Sequence, residues 1–89
     1  MPNVIATHAV GDMETWLAGG TERDSLFKVF CSGYRIYRHA EQPKVSIVWE
    51  NVDMKKFEQV LSHPDAAEAE RRNTVIRPID IFFEISGGR

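Results

Sequence analysis

The chain has 89 residues, with 11 Lys and Arg against 13 Asp and Glu, a formal net charge of −2, and 43% hydrophobic against 27% charged residues. That length accommodates one domain core and not two, and the composition is too apolar for a disordered chain. A slight acidic excess argues against a broad phosphate-binding face, and no run approaches the ~18 apolar residues that cross a bilayer.

Val4 to Val10, small and β-branched, reads as a first strand. Asp12 then offers an N-cap for a helix through Met13, Trp16 and Leu17, which Gly19-Gly20 interrupts. Thr21-Glu22-Arg23-Asp24 has the form of a capping box, and Leu26, Phe27 and Phe30 supply the apolar stripe of a restarted helix. Gly33 suits the left-handed position that ends it. Tyr34 to His39 and Val45 to Trp49 read as two strands joined by a short connection containing Pro43. A second helix starts after Asp53, with Met54, Phe57 and Leu61 on one face. Ser62-His63-Pro64 breaks it, and Pro64 opens a further helical turn through Ala69. Ile79 to Ile85 reads as a closing strand, with Pro78 at its start marking a sheet edge. Residues 1–86 then form a single domain, and 87–89 read as a flexible tail.

The order β-α-β-β-α-β is the split βαβ, or ferredoxin-like, arrangement of the α+β class. Its four-stranded antiparallel sheet has both helices on one face. Strand parity separates the two faces. Val4, Ala6, His8 and Val10 share one face with Tyr34, Ile36, Val45, Ile47 and Trp49, and with Ile79, Ile81, Phe83 and Ile85. This set is apolar enough to be the helix-covered core. The opposite face mixes Ile5, Tyr37, Val48 and Phe82 with Arg35, Ser46, Asp80 and Glu84. It is too apolar for open water and too polar for a dry core, which predicts a homodimer formed sheet to sheet.

Five side chains make a candidate ligand site. His8, on an otherwise apolar face, suits an acid, a base or a hydrogen-bonding group. It equally suits a core histidine tied to a backbone carbonyl. Trp16, Tyr34 and Trp49 could wall a slot for a flat aromatic ligand, or simply fill the core. Arg38 has the parity of Tyr34 and falls toward the same sheet end as His8, where it could meet an anion or stand solvated at the rim. A void of about 300 Å³ beside His8 would favour a ligand site, and a filled core a structural dimer.

Other motifs carry less. Ser62-His63-Pro64-Asp65 holds triad residue types in sequence, but adjacency does not bring nucleophile and base into line. Cys31, near a helix C-terminus, should have a raised thiol pKa. The three histidines are scattered, so neither a metal site nor a cofactor is expected. Base-stacking aromatics are missing from Val4 to His8 and Val45 to Trp49, which excludes an RNA-recognition domain and leaves no nucleic-acid partner. Val10-Gly11-Asp12 lacks the basic phosphate loop of an acylphosphatase. The start Met1-Pro2-Asn3-Val4 has no signal-peptide pattern and Cys31 has no internal disulfide partner, so the expected home is the cytoplasm, away from membranes.

Several segments resemble the dimeric α+β barrel superfamily, near its small antibiotic-biosynthesis-monooxygenase-like members. His8-x-Val10-x-Asp12 with Trp16 resembles their strand-to-helix junction, and Gly33-Tyr34-Arg35-Ile36-Tyr37-Arg38 their second strand. Asn51-Val52-Asp53-Met54-Lys55-Lys56-Phe57 with Leu61, Ser62 and Pro64 is similar to their second helix. Pro78-Ile79-Asp80-Ile81-Phe82 resembles their closing strand. The resemblance implies two sheets closing into a barrel across a two-fold axis, with a pocket between sheet and helices. It also implies a small aromatic ligand, with cofactor-independent oxidation or isomerisation as the reaction class. The alternative is a non-catalytic dimer that binds a ligand or a protein. The chain departs from the pattern at Gly19-Gly20 and at Met13, where an aromatic residue is common.

Overall fold

The computed structural model describes residues 1–85. The tail expected at 87–89, with the last residue of the 1–86 domain, lies outside them. The elements are β1 (Val4–Val10), α1 (Met13–Ala18), α2 (Gly20–Phe27), β2 (Gly33–Arg38), β3 (Lys44–Glu50), α3 (Met54–Ser62), α4 (Pro64–Arg72) and β4 (Val75–Phe83). The sheet is antiparallel throughout in the order β2-β3-β1-β4, with the helices on one side. It is the ferredoxin-like arrangement, each helix of the split βαβ being broken in two.

Both breaks have local causes. The Asp12 carboxylate accepts from the Thr15 N–H and starts α1, and Gly19 ends it. Gly19 is also the N-cap of α2, so that helix begins at Gly20 and the capping box expected at Thr21 does not form. Thr21 lies inside the first turn, and Glu22 reaches across to Arg72 and Asn73 at the end of α4. A Cβ on Gly19 would stand 1.8 Å from Asn73 Oδ1. Asn73 is buried and donates to the Ala69 carbonyl at 2.7 Å, so it cannot swing away without losing that bond. Gly19→Ala is therefore expected to cost about 1–3 kcal/mol, measured by urea denaturation, because overpacking forces the Asn73 network to shift. The second break is capped by His63, whose Nδ1 accepts from the Asp65 N–H ahead of Pro64. This capping is the role of the Ser62-His63-Pro64-Asp65 run.

Several boundaries differ from those expected: α4 runs on to Arg72 rather than ending at Ala69, and β4 ends at Phe83 rather than Ile85. Helix α2 stops at Phe27, and Phe30 reaches the core from the turn that follows. Gly33 therefore opens β2 rather than closing a helix. Strand β4 begins at Val75 rather than Ile79, so Pro78 lies within the strand. The β1–β4 register moves from Thr7↔Asp80 to Ala9↔Ile76, so a bulge in β4 absorbs two extra residues around Pro78. A proline without an N–H is tolerated at such a bulge on an edge strand.

The alternation in β1 and β3 is as expected: Val4, Ala6, His8 and Val10 are buried, with Val45, Ile47 and Trp49. The edges are covered less. Ile81 and Phe83 were expected in the core with Ile79, yet they are 37% and 56% exposed, because the helices lie over the two central strands. Ile36 on the other edge is 37% exposed for the same reason, and Ile85 is also exposed. Under the helices, Phe27, Phe30, Trp49 and Phe57 form an edge-to-face cluster with ring centroids 5.1–5.9 Å apart.

Candidate functional site

A cavity of 340 Å³ lies between the sheet and the helices, lined by His8 and Ala6 of β1, Ile47 and Trp49 of β3, and apolar residues of α2, α3 and α4. At the β4 side, Arg77 pairs with Glu70 at 2.9 Å on an exposed rim.

The structure brings three of the five candidate residues to this cavity. His8 is buried, and its Nδ1 lies 2.8 Å from the Ala9 carbonyl, which can only accept; Nδ1 therefore carries the proton. Nε2 is then the nitrogen left for a ligand. Trp16 packs edge-on against His8, with centroids 6.1 Å apart. Trp49 is buried, and its indole N–H has no hydrogen-bond acceptor among the described residues. A buried donor without a partner is uncommon.

Tyr34 and Arg38 stand apart from the cavity. The Tyr34 ring meets Phe27 at 5.1 Å, and its hydroxyl donates to the Asp24 carboxylate at 2.6 Å. This bond, with help from Lys28, holds the Asp24 carboxyl below the ordinary range, and it raises the Tyr34 phenol. A depressed carboxyl pKa stabilises the fold above the unfolded value of about 3.9, and that contribution is lost as pH falls through the folded value. Tyr34→Phe is accordingly expected to lower Tm at pH 7, with the difference from wild type shrinking below about pH 4 in a calorimetric pH series. Arg38 is paired in register with Val45, which is paired with His8, so the two share a row and a face. Arg38 is nonetheless exposed at the end of edge strand β2 and does not line the cavity.

Arg23 escaped the sequence reading. It is 9% exposed and lines the cavity, with its guanidinium carbon 3.6 Å above the Trp16 ring and Nη1 donating to the Trp16 carbonyl at 2.8 Å. Its Nε is buried without an acceptor. Burial lowers the Arg23 pKa, although Tyr34 and Glu22 pull the other way. The missed signal was spacing: positions 23, 27 and 30 follow the i, i+4, i+7 pattern, so Arg23 continues the stripe of Phe27 and Phe30.

The thiol of Cys31 donates to the Phe27 carbonyl at 3.1 Å, and its pKa is raised as expected, though burial rather than the helix end is the leading cause. Among the described residues no three His, Cys, Asp or Glu side chains converge to hold a metal ion. No helix among them is long and apolar enough to cross a membrane.

No protein-family model matches the sequence, and no curated protein matches it. Solved structures match in shape. An antibiotic biosynthesis monooxygenase superposes over 97% of this chain and 98% of its own, with a TM-score of 0.72 and 12% identity. SnoaB, a cofactor-independent oxygenase from Streptomyces nogalater, covers 91% of this chain and 88% of its own at a TM-score of 0.61 and 11% identity. A conserved protein from Methanosarcina mazei covers 92% and 88%, with a TM-score of 0.58 and 18% identity. Identities this low speak to backbone architecture alone. The chain has the ferredoxin-like fold of the antibiotic-biosynthesis-monooxygenase-like proteins.

Proposed function

We propose that this protein binds a small, flat, largely apolar metabolite in the sheet–helix cavity, and that it works as a homodimer closed sheet to sheet. The observation that carries the reading is the 340 Å³ cavity with His8 in its wall, since a void of that size suits a small aromatic molecule and a filled core would not. Trp16 and Trp49 offer flat walls. His8 Nε2 is the proton acceptor, with its tautomer set by the Ala9 carbonyl. Cofactor-independent oxidation or isomerisation is the reaction class, in keeping with the cofactor-independent oxygenase among the structural neighbours. The free, half-buried Cys31 suits the cytoplasm.

A second reading keeps the cavity and drops the chemistry. The bond from His8 to the Ala9 carbonyl is also what a structural histidine makes, and it favours a binding protein without turnover. A thermal-shift screen with quinols, phenolic acids and flavonoids tests the site. At least one class is expected to raise Tm of the wild type, and His8→Ala is expected to lose that rise. No response from any compound, or an equal response from the variant, removes His8 from the site. Turnover of a stabilising compound under air then separates the two readings.

A further inference from the structure

We infer that Arg23 makes the cavity selective for anionic aromatic ligands, binding a carboxylate or phenolate oxygen through Nη2 of its guanidinium. This rests on the cavity's being a ligand site, and it names the ligand's charge. The charges around the cavity support it. Glu22 is bonded to Arg72 and Asn73, and Glu70 is paired with Arg77, so each acid in the wall is already neutralised by a group other than Arg23. Arg23 has no ion pair among the described residues, which leaves one buried positive charge in excess.

The geometry also selects the nitrogen. Within the guanidinium, Nη1 is occupied by the Trp16 carbonyl. Nε is fully buried without an acceptor and closed to a ligand, whereas Nη2 has no acceptor among the described residues and is not sealed off, so it is the nitrogen left for one. The Trp16 ring 3.6 Å beneath the guanidinium holds the group flat and can extend under an aromatic ligand bound there. A buried cation with one free N–H group in a largely apolar chamber suits a carboxylate or phenolate carried on a flat ring. Arg38, which the sequence suggested for this task, lies outside the chamber.

Isothermal titration of the intact protein with 2-naphthoate and 2-naphthamide, which differ in charge far more than in shape, tests this. The wild type is expected to bind the carboxylate at least ~10-fold tighter, a preference of the order a charge-assisted hydrogen bond supplies. In Arg23→Gln that preference is expected to fall within about twofold while the amide affinity stays, and Arg38→Gln, outside the chamber, should keep it. If the Gln variant fails to fold, Arg23→Lys takes its place; it keeps the charge, loses Nη2, and should show a reduced preference. Equal binding of the two ligands by the wild type overturns the assignment and leaves the cavity reading standing. Undiminished preference in both Arg23 variants does the same. Saturable binding of neither ligand overturns both.

Discussion

Phe82→Lys is expected to turn the protein from a dimer into a monomer. Phe82 is 57% exposed on the face away from the helices, in the row Arg35–Val48–Ile5–Phe82 across all four strands. The next row, Tyr37–Ser46–Thr7–Asp80, adds the 54% exposed Tyr37 and a Thr7–Ser46 hydrogen bond of 2.8 Å. Exposed aromatics beside internally satisfied hydroxyls suit contact with a second protein surface. In a two-fold interface every substitution enters twice. If each aromatic anchor contributes about 2 kcal/mol, losing both copies weakens the dimer by about 4 kcal/mol, close to a thousandfold in Kd. Sedimentation equilibrium at micromolar concentration should find twice the 10.2 kDa chain mass for the wild type and a single chain for the variant. A wild type that sediments as a single chain contradicts the dimer.

Phe57→Ala is expected to produce the largest loss of stability, about 3–5 kcal/mol, as for other buried Phe-to-Ala changes. Phe57 is 3% exposed and fastens α3 to the sheet through edge-to-face contacts with Phe30 and Trp49 at 5.2 and 5.4 Å. Against the 5–15 kcal/mol typical of a whole domain, that loss is a large share. Phe57→Leu keeps most of the volume and should cost roughly half as much. Chemical denaturation of the three proteins measures both differences. An alanine variant within about 1 kcal/mol of wild type would mean that α3 is not held by this cluster.

The parts of the fold that could be read in advance are those where a single local rule acts. Period-two alternation placed β1 and β3 correctly, because the central strands are covered by helices on one face only. Asp12 and Asp53 marked two helix starts, because a carboxylate capping an N–H within three residues is a local event. The rule failed where distant contacts decide. Thr21 lost its cap to Gly19, which serves two helices and is kept small by Asn73, 54 positions along the chain. Pro78 was read as a strand start because a bulge cannot be inferred from one strand without its partner's register.

The site was legible to the same extent. His8, Trp16 and Trp49 reach the cavity because strand parity and the first helical turn fix their direction. Tyr34 shares that parity but is drawn to Asp24, and Arg38 runs out past the end of the helical cover. Arg23 was hidden by its type: charged residues are rarely buried, and the run Thr21-Glu22-Arg23-Asp24 pointed to a helix cap rather than to the apolar stripe of α2.

The most direct test of the cavity is a titration of isotope-labelled protein with 2-naphthamide, followed by NMR. Saturable shifts are expected at the Trp49 indole, the His8 ring and the Ala6 methyl, with Phe82 and Tyr37 on the opposite face unmoved. Shifts confined to Phe82 and Tyr37, or none that saturate, would contradict a ligand site in the cavity.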